Sequence, residues 1–255
     1  MSKKAFLFPG QGSQYIGMAK DLFDKSVEAK EMIKTADDAL GVNLSFIMFN
    51  GPEEQLKQTE FTQPAIFLHS VILASLIRTL QPEAAAGHSL GEYSALVSAN
   101  AIQFYDAIKL VRTRGKAMQQ AGIDNPGTLA AIVGLEPLKV EELCKEASAV
   151  GIVQCANFNS PGQIVISGSI DGVRKAMELC KANGAKLTKE LVVSGAFHSP
   201  LMQSAKDALL EALVFTSIYD ARFPVYANVT AKPVIKKDEI KNLLHQQVTS
   251  PVRWE

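Results

Sequence analysis

The segment AAAGHSLGEYSALVSA, residues 84–99, places Ser89 between two glycines in the pattern G-x-S-x-G. A serine hydroxyl attacks a carbonyl at neutral pH only where a base takes its proton and donors stabilise the resulting oxyanion. Between a strand and a helix, the glycines allow a sharp turn that exposes the serine at the carboxyl edge of a sheet. The amides of Leu90 and Gly91 then begin a helix whose positive end favours a developing negative charge. The alternative is that Ser89 is a simple helix N-cap.

Four histidines are candidates for the base that such a serine needs. His69 falls in an apolar helix and is expected in the core, and His245 falls in a polar helix and is expected to be solvated. His88 adjoins Ser89, but neighbours across a sharp turn usually point apart. His198, in SGAFHSP, lies on a loop between a strand and a helix opened by proline, where catalytic residues are often placed. His198 is therefore the best candidate.

The acid of a hydrolase triad is not found at its expected place. Such a triad runs serine, acid, histidine along the chain. Glu92 falls in the helix after Ser89, Asp106 starts the next helix, and most other acids between Ser89 and His198 fall between residues 125 and 196. We expect a Ser–His dyad in which a backbone carbonyl replaces the acid.

Arg114 is the most informative residue outside the serine motif. At about 100° per residue on a helix over residues 104–121, Arg114 falls beside Ala107 and Leu110 at the margin of the apolar stripe, whereas Arg112 falls on the polar side. A buried guanidinium is costly unless it is paired. Arg114 either forms a structural ion pair, which the spacing alone favours, or binds a substrate carboxylate with two hydrogen bonds.

The loop PGQGSQ, residues 9–14, matches neither the dinucleotide-binding nor the Walker pattern of glycines. Gln11 lies between two of its glycines and is a candidate to present its backbone amide or its side chain to a ligand.

Strands alternate with helices through the first half of the chain, which predicts an α/β fold whose parallel sheet is covered on both faces. The predicted elements are a strand at 4–8, a helix from about 18 to 40, a helix from Pro64 to about 80, a strand at 84–87, a helix from Leu90 and a helix at 104–121. After residue 197 a helix capped by Ser199, a strand at 223–230 and a helix at 236–248 resume this pattern.

A small inserted domain is predicted at residues 125–196, after the break GIDNPG. Its strands and helices follow in the order βαββαβ and end with a strand at 185–193, the ferredoxin-like arrangement. Residues 1–124 and 197–255 then form a large α/β-hydrolase-like domain.

The composition limits the cellular environment and the binding partners that we expect for this chain. The formal net charge is zero, so electrostatics give no reason to expect nucleic acid or an anionic membrane as a partner. The chain has no apolar run long enough for a secretory signal or a membrane span. Three cysteines, without a metal-binding spacing, are expected to be buried reduced thiols in a cytoplasmic protein.

The chain resembles the malonyl-CoA:acyl carrier protein transacylases of fatty acid synthesis and the related polyketide acyltransferase domains. The matching motifs run through nearly the whole chain in the family's order. They are FPGQGSQ, TQPA, GHSLGEYSALVSA, RTRGKAMQ, ANFNSPGQIVISG, GAFHSP and SPVRW.

The resemblance implies a role for each candidate residue. Ser89 would be acylated, with His198 as its base, and Gln11 and the amide of Leu90 would form the oxyanion hole. Arg114 would grip the malonyl carboxylate, which reverses the preference for a structural ion pair.

Three further roles are implied by the resemblance alone. Gln247 would orient the histidine through its backbone carbonyl, and Asn157 would line the cleft between domains. Phe197, directly before His198, resembles the residue that malonyl-selective members of the family have at this position.

The implied reaction is a ping-pong transfer from malonyl-CoA to the phosphopantetheine thiol of an acyl carrier protein, without metal or redox cofactor, by a monomer. The family continues beyond SPVRW, so we expect that the chain ending at Glu255 is truncated. Two alternatives stay open. A serine thioesterase or other hydrolase would release the acyl group to water, although the missing acid and Arg114 count against it. A truncated carrier-binding protein would bind its partner without turnover.

Overall fold

The computed structural model describes residues 3–77, 79–191 and 194–255. The chain forms two compact units. The first comprises Met1–Lys116, Leu209–Ala227 and Lys232–Leu243, and the second comprises Ala117–Ala208, Asn228–Ala231 and Leu244–Glu255. The predicted small domain, residues 125–196, falls within the second unit, which also takes in the His198 loop and the last twelve residues, 244–255. The predicted domain boundaries stay a prediction.

The described residues form nine strands: β1 (Ala5–Phe8), β2 (Ala84–Gly87), β3 (Thr128–Val133), β4 (Val153–Ser160), β5 (Gln163–Gly168), β6 (Leu187–Leu191), β7 (Val225–Ala227), β8 (Lys232–Val234) and β9 (Val252–Arg253). Their α-helices are α1 (Lys20–Lys25), α2 (Val27–Leu40), α3 (Leu44–Asn50), α4 (Glu53–Leu56), α5 (Thr59–Leu76), α6 (Gly91–Ser98), α7 (Phe104–Asp124), α8 (Pro137–Ala147), α9 (Ile170–Ala182), α10 (Gln203–Phe215) and α11 (Lys237–Gln247).

The first unit contains a four-stranded sheet in the order β1-β2-β7-β8. The pairs β1–β2 and β2–β7 are parallel, as predicted, and β8, which was not predicted, pairs antiparallel with β7. The alanine-rich β2 is a poor strand former by propensity. Its register, with Phe8 opposite Gly87, brings the carboxyl ends of β1 and β2 side by side. The loops that follow these two strands therefore leave the sheet at the same edge.

The predicted helix from 18 to 40 is two helices. Ser26 has an extended backbone, with φ −125° and ψ 125°, and its side chain accepts a hydrogen bond from the amide of Ala29. A serine that caps α2 in this way ends α1 one residue earlier.

The prediction that Pro64 opens its helix is wrong, because α5 begins at Thr59 and contains Pro64. A proline cannot donate to the carbonyl four residues earlier, here that of Glu60. Arg112 Nη1 donates to this carbonyl at 2.5 Å, and Arg112 also forms an ion pair of 2.8 Å with the Glu60 carboxylate. Arg112, predicted on the polar side of its helix, is buried, and its guanidinium replaces the hydrogen bond that the proline removes.

The second unit contains a five-stranded sheet in the order β6-β3-β5-β4-β9. The pairs among β3, β4, β5 and β6 are antiparallel, whereas β9, which was not predicted, lies parallel to β4. The predicted βαββαβ order is confirmed from β3 to β6. Residues 192–193 of the last predicted strand lie outside the described residues, and β6 ends at Leu191.

One apolar cluster fills the second unit. Val153 and Cys155 on β4 belong to it, together with residues of α8 and α9. Since side chains alternate along a strand, Gln154 projects from the opposite face of β4. The three cysteines are buried and free, as predicted.

The predicted helix after Ser199 starts as a 3-10 turn, Pro200–Met202, and continues as α10. Ser199 Oγ accepts from the amide of Leu201, so it caps this turn as predicted. Among the described helices, none has the length and apolar character to cross a membrane.

Candidate active site

Ser89 lies on a sharp turn between β2 and α6 and has a φ of +51°, a left-handed conformation that is costly for a residue with a side chain. A Cβ on Gly87 would lie 1.9 Å from the carbonyl carbon of Gly91, and a Cβ on Gly91 would lie 2.4 Å from the carbonyl oxygen of Phe8. Only glycine fits at both positions. The N-cap position of α6 is occupied by Leu90, so the interpretation of Ser89 as a simple N-cap is wrong.

Arg114 points at Ser89. Its Nη2 donates to Ser89 Oγ at 3.0 Å, and its Nη1 donates to Gln63 Oε1 at 2.7 Å. The guanidinium carbon lies 5.5 Å from the centre of the Tyr93 ring, and Arg114 is only 1% exposed. These contacts fix the plane of the guanidinium, with one end on a neutral amide and the other on the hydroxyl of Ser89.

The guanidinium of Arg114 is a buried charge, and its pKa depends on its neighbours. Burial lowers the pKa of its guanidinium, while Tyr93 and Glu92 raise that pKa. An arginine nevertheless stays protonated in a protein. Burial also raises the pKa of the Tyr93 hydroxyl to about 12, so this neighbour stays neutral at pH 7. The Ser89 turn thus adjoins a permanent buried cation.

Gln11 and Leu90 follow the adjacent parallel strands β1 and β2. Gln11 is exposed in the turn after β1, where Gly12 donates its amide to Gln14 Oε1 at 2.9 Å. Leu90 is buried at the start of α6, where backbone N–H groups precede the first intrahelical hydrogen bonds. Since both strands end at one edge of the sheet, the two residues occupy loops that leave the same edge.

His198, in the second unit, is held by backbone carbonyls. Its Nδ1 lies 2.9 Å from the carbonyl oxygen of Gln247 and 3.1 Å from that of Ser250. Carbonyl oxygens only accept hydrogen bonds, so Nδ1 carries the hydrogen and Nε2 keeps its lone pair in the neutral ring. His198 is 4% exposed and, like Ser89, has a positive φ, +57°. A histidine in this tautomer can act as a base through Nε2.

Phe197 and Asn157 also lie in the second unit and are buried. The amide of Phe197 donates to the carbonyl of Gly195 at 3.0 Å, which tightens the backbone before His198. Asn157 lies on β4, opposite Val165 of β5 and beside Val252 of β9.

The predicted site residues fall into two groups. Ser89, Leu90, Gln11 and Arg114 belong to the first unit, whereas His198, Gln247, Asn157 and Phe197 belong to the second.

Two glutamines were missed by the sequence analysis. Gln63 binds Arg114, and its only sequence signal is the TQPA motif. Gln154 donates from its side chain to the carbonyl of His198 at 2.8 Å and to that of Thr249 at 3.2 Å. Strand alternation alone could have placed Gln154 on the face opposite the core, but not its contacts.

The other histidines differ in part from their predicted environments. His69 is half-buried rather than fully in the core, and burial lowers its pKa. His245 is half-buried rather than fully solvated. Its Nε2 is buried and, within residues 3–77, 79–191 and 194–255, has no hydrogen-bond partner. Burial lowers the pKa of His245 as well.

In the part of the chain that the structure describes, no three His, Cys, Asp or Glu residues come together as a metal site would require.

A family model described as the acyl transferase domain matches residues 5–255. The chain therefore belongs to the acyl transferase family, as the motifs indicated. Malonyl CoA-acyl carrier protein transacylase of Bacillus subtilis is 46% identical over 258 residues, which cover 100% of this chain and 81% of the relative.

Solved structures agree with this assignment. An acyl carrier protein S-malonyltransferase from Vibrio cholerae superposes with a TM-score of 0.95 at 43% identity, covering 99% of this chain and 84% of that one. A malonyl-transacylase in complex with its type II PKS acyl-carrier protein gives a TM-score of 0.94 at 41% identity, covering 99% and 83%.

Proposed function

We propose that the chain transfers a malonyl group from malonyl-CoA to the phosphopantetheine thiol of an acyl carrier protein, through a malonyl ester of Ser89. The observation that carries the proposal is the 3.0 Å contact between Arg114 Nη2 and Ser89 Oγ. A buried guanidinium next to a nucleophile suits an acyl group that ends in a carboxylate, because the two pair through parallel hydrogen bonds. The names of the similar proteins agree with this substrate and this acceptor.

In the first half-reaction Ser89 Oγ attacks the thioester carbonyl and its proton passes to His198 Nε2. The oxyanion accepts hydrogen bonds from the amide of Leu90 and from Gln11. Its collapse breaks the carbon–sulfur bond, and the leaving sulfur takes the proton from His198 as free CoA. In the second half-reaction the carrier thiol gives its proton to His198 and attacks the malonyl ester. Ser89 leaves with that proton, and the malonyl thioester of the carrier is released.

The other residues orient the base or bind the substrate. The carbonyl of Gln247 accepts from His198 Nδ1 and stabilises the imidazolium that forms in each half-reaction, which is the part an acid has in a triad. Arg114 binds the malonyl carboxylate, and Asn157 and Phe197 contribute to substrate binding. This chemistry needs no metal or resident cofactor, since the phosphopantetheine arm arrives on the carrier.

We propose that the first unit is the α/β-hydrolase-like part, which its parallel β1, β2 and β7 support. The second unit is the ferredoxin-like part, which the antiparallel order β6-β3-β5-β4 supports. A monomer in the cytoplasm stays a prediction from the sequence.

The test is intact mass after mixing the protein with malonyl-CoA. Wild-type protein is expected to gain one malonyl group, and Ser89→Ala is expected to gain none. Adding the carrier protein should remove the adduct and transfer it to the carrier. Rapid loss of the adduct to water without carrier would support the thioesterase alternative. Carrier binding without any adduct would support the non-enzymatic one.

Arg114→Ala tests the carboxylate contact. We expect acylation by malonyl-CoA to fall roughly a hundredfold, because a charge-assisted hydrogen-bond pair is lost. Acylation by acetyl-CoA, which has no carboxylate, should fall much less. Arg222→Ala, at an exposed arginine of the same unit, is the control. Equal losses with both substrates would assign Arg114 a structural role.

A further inference from the structure

We infer that Gln154 is a positioning residue for the base, a role that rests on the proposed function of His198. Its side-chain amide donates one hydrogen bond to the carbonyl of His198 at 2.8 Å and one to the carbonyl of Thr249 at 3.2 Å. One side chain thus joins the loop that carries the histidine to the loop that orients it.

The C-terminal end of α11 and the loop that follows it supply the acceptors of the histidine ring. Gln247 and Ser250, on either side of Thr249 in the sequence, present the carbonyl oxygens that face His198 Nδ1 at 2.9 and 3.1 Å. The ring keeps its tautomer and its direction only while the distance between the two loops is fixed. Gln154 fixes it through the backbone, since both of its acceptors are main-chain carbonyls.

Strand β4 is the common support of this arrangement. It carries Gln154 near its start and pairs with β9 through Asn157 and Phe158, three and four residues further on. The pairing with β9 anchors the chain just after Ser250. Val153 and Cys155 are buried in the core cluster on the other face of β4. The amide of Gln154 is therefore placed by a rigid element, as a precise hydrogen-bond donor requires.

The backbone of His198 makes such support necessary. A φ of +57° is unfavourable for histidine by about 1–2 kcal/mol, so the loop holds this conformation only if other contacts determine it. A bond from Gln154 to the carbonyl of His198 acts directly on the strained residue. Without it we expect the loop to relax and the imidazole to turn away from its acceptors.

The experiment compares Gln154→Leu, which keeps the size of the side chain and removes both donors, with Gln163→Leu as a matched control. Gln163 is an exposed glutamine on β5, the strand adjacent to β4 in the same sheet. The first readout is the rate of Ser89 malonylation at saturating malonyl-CoA and the concentration that gives half of that rate. The second is the NMR resonance of the His198 Nδ1–H, which is protected from exchange while it is hydrogen-bonded.

For Gln154→Leu we expect a maximal rate lower by a factor on the order of ten to a hundred, as small misplacements of a catalytic group produce. The half-saturating concentration should not change, because the change affects the base and not the carboxylate site. The Nδ1–H signal should broaden or disappear. Gln163→Leu should match wild type in all three measurements.

Gln154→Glu provides a second variant that decides the question if Gln154→Leu fails to fold. A carboxyl group at this position can donate only when protonated, so its rate relative to wild type should rise as the pH falls from 8 to 5. A constant ratio, or a Gln154→Leu variant with wild-type rate and Nδ1–H signal, would overturn the inference. Absence of malonylation in wild type would instead reject the proposed function, while the NMR readout would still report on Gln154.

Discussion

Ser89 and His198 have the same unusual backbone conformation, with φ of +51° and +57°, but the two units hold it by different means. At Ser89 the flanking backbone segments pack so closely that Gly87 and Gly91 leave no room for a Cβ. At His198 the supports are hydrogen bonds, from Nδ1 to the carbonyls of Gln247 and Ser250 and from Gln154 to the carbonyl of the histidine itself.

The Ser89 turn is held by steric packing of the backbone, whereas the His198 loop is held by side-chain hydrogen bonds. Close packing of backbone is intolerant of any added atom, so the serine turn should fail through folding when it is changed. Hydrogen bonds to a loop are individually modest in energy, about 0.5–1.5 kcal/mol each, so the histidine loop should fail first through lost alignment. Measurements of stability and of activity test this difference between the two units.

Gly87→Ala should have the largest effect. The added methyl would overlap the backbone of Gly91, and we expect the free energy of unfolding to fall by about 3 kcal/mol or more. Urea unfolding measures the change.

Gly41→Ala is the control. Gly41 has a positive φ, 61°, whereas the φ of Gly87 is not in that region, and a methyl group added at Gly41 would meet no atom of the described residues within 4 Å. Its substitution should cost only about 1–2 kcal/mol, the intrinsic penalty of the left-handed conformation. If the two variants lose equal stability, the overlap at Gly87 costs no more than a left-handed alanine does, which would contradict the steric role of the glycines in the serine turn.

Gln63→Leu should have an intermediate effect on the serine side. Loss of the 2.7 Å bond from Arg114 frees one end of the guanidinium, so we expect acylation by malonyl-CoA to fall about tenfold. Acetyl-CoA should be affected less, since it does not use Arg114. Gln120→Leu, on the same helix as Arg114, is the control, because the side chain of Gln120 donates to the exposed Asp124 one turn further along that helix. A loss that is equal for both substrates would contradict the positioning of Arg114 by Gln63.

A small pH effect is expected from one histidine in each unit. Burial lowers the pKa of His69 and of His245, so the folded chain binds fewer protons than the unfolded chain below the ordinary histidine pKa of about 6.5. The free energy of unfolding should therefore fall as the pH falls through about 6.5 towards the lowered values, and level off below them.

His245→Leu and His69→Leu should each weaken this dependence. Urea unfolding between pH 5 and pH 8 measures the slope for each variant. An unchanged slope in His245→Leu would mean that burial does not lower the pKa of His245 in the folded protein. An unchanged slope in His69→Leu would mean the same for the pKa of His69.

Local pattern carried much of the fold. The elements from β3 to β6 follow in the predicted βαββαβ order, and β6 begins two residues after its predicted start, because alternation and helical periodicity are strong there. The elements that were missed, β8 and β9, have only three and two residues and form by pairing with β7 and β4. Segments this short have no periodicity, so only their partners define them as strands.

Pro64 and Arg112 show a second limit. Proline at a helix start is a sound local rule, but here Arg112, from a helix distant in the sequence, supplies the hydrogen bond that Glu60 loses. A donor that arrives from a distant segment cannot be seen in the spacing of the segment it satisfies.

What the sequence determined by itself is the chemistry that is local in the chain. G-x-S-x-G specifies the Ser89 turn because the two glycines and the serine are neighbours, and the steric requirement at Gly87 comes from Gly91 and Glu92, a few residues away. The requirement at Gly91 comes from Phe8 on β1 and depends on the tertiary structure. The tertiary structure decided what Arg114 and His198 contact. Gln63, Gln154 and the carbonyls of Gln247 and Ser250 lie 44 to 52 residues from the groups they bind. Two of these four partners are backbone atoms, which every residue type possesses, so no side-chain pattern records them.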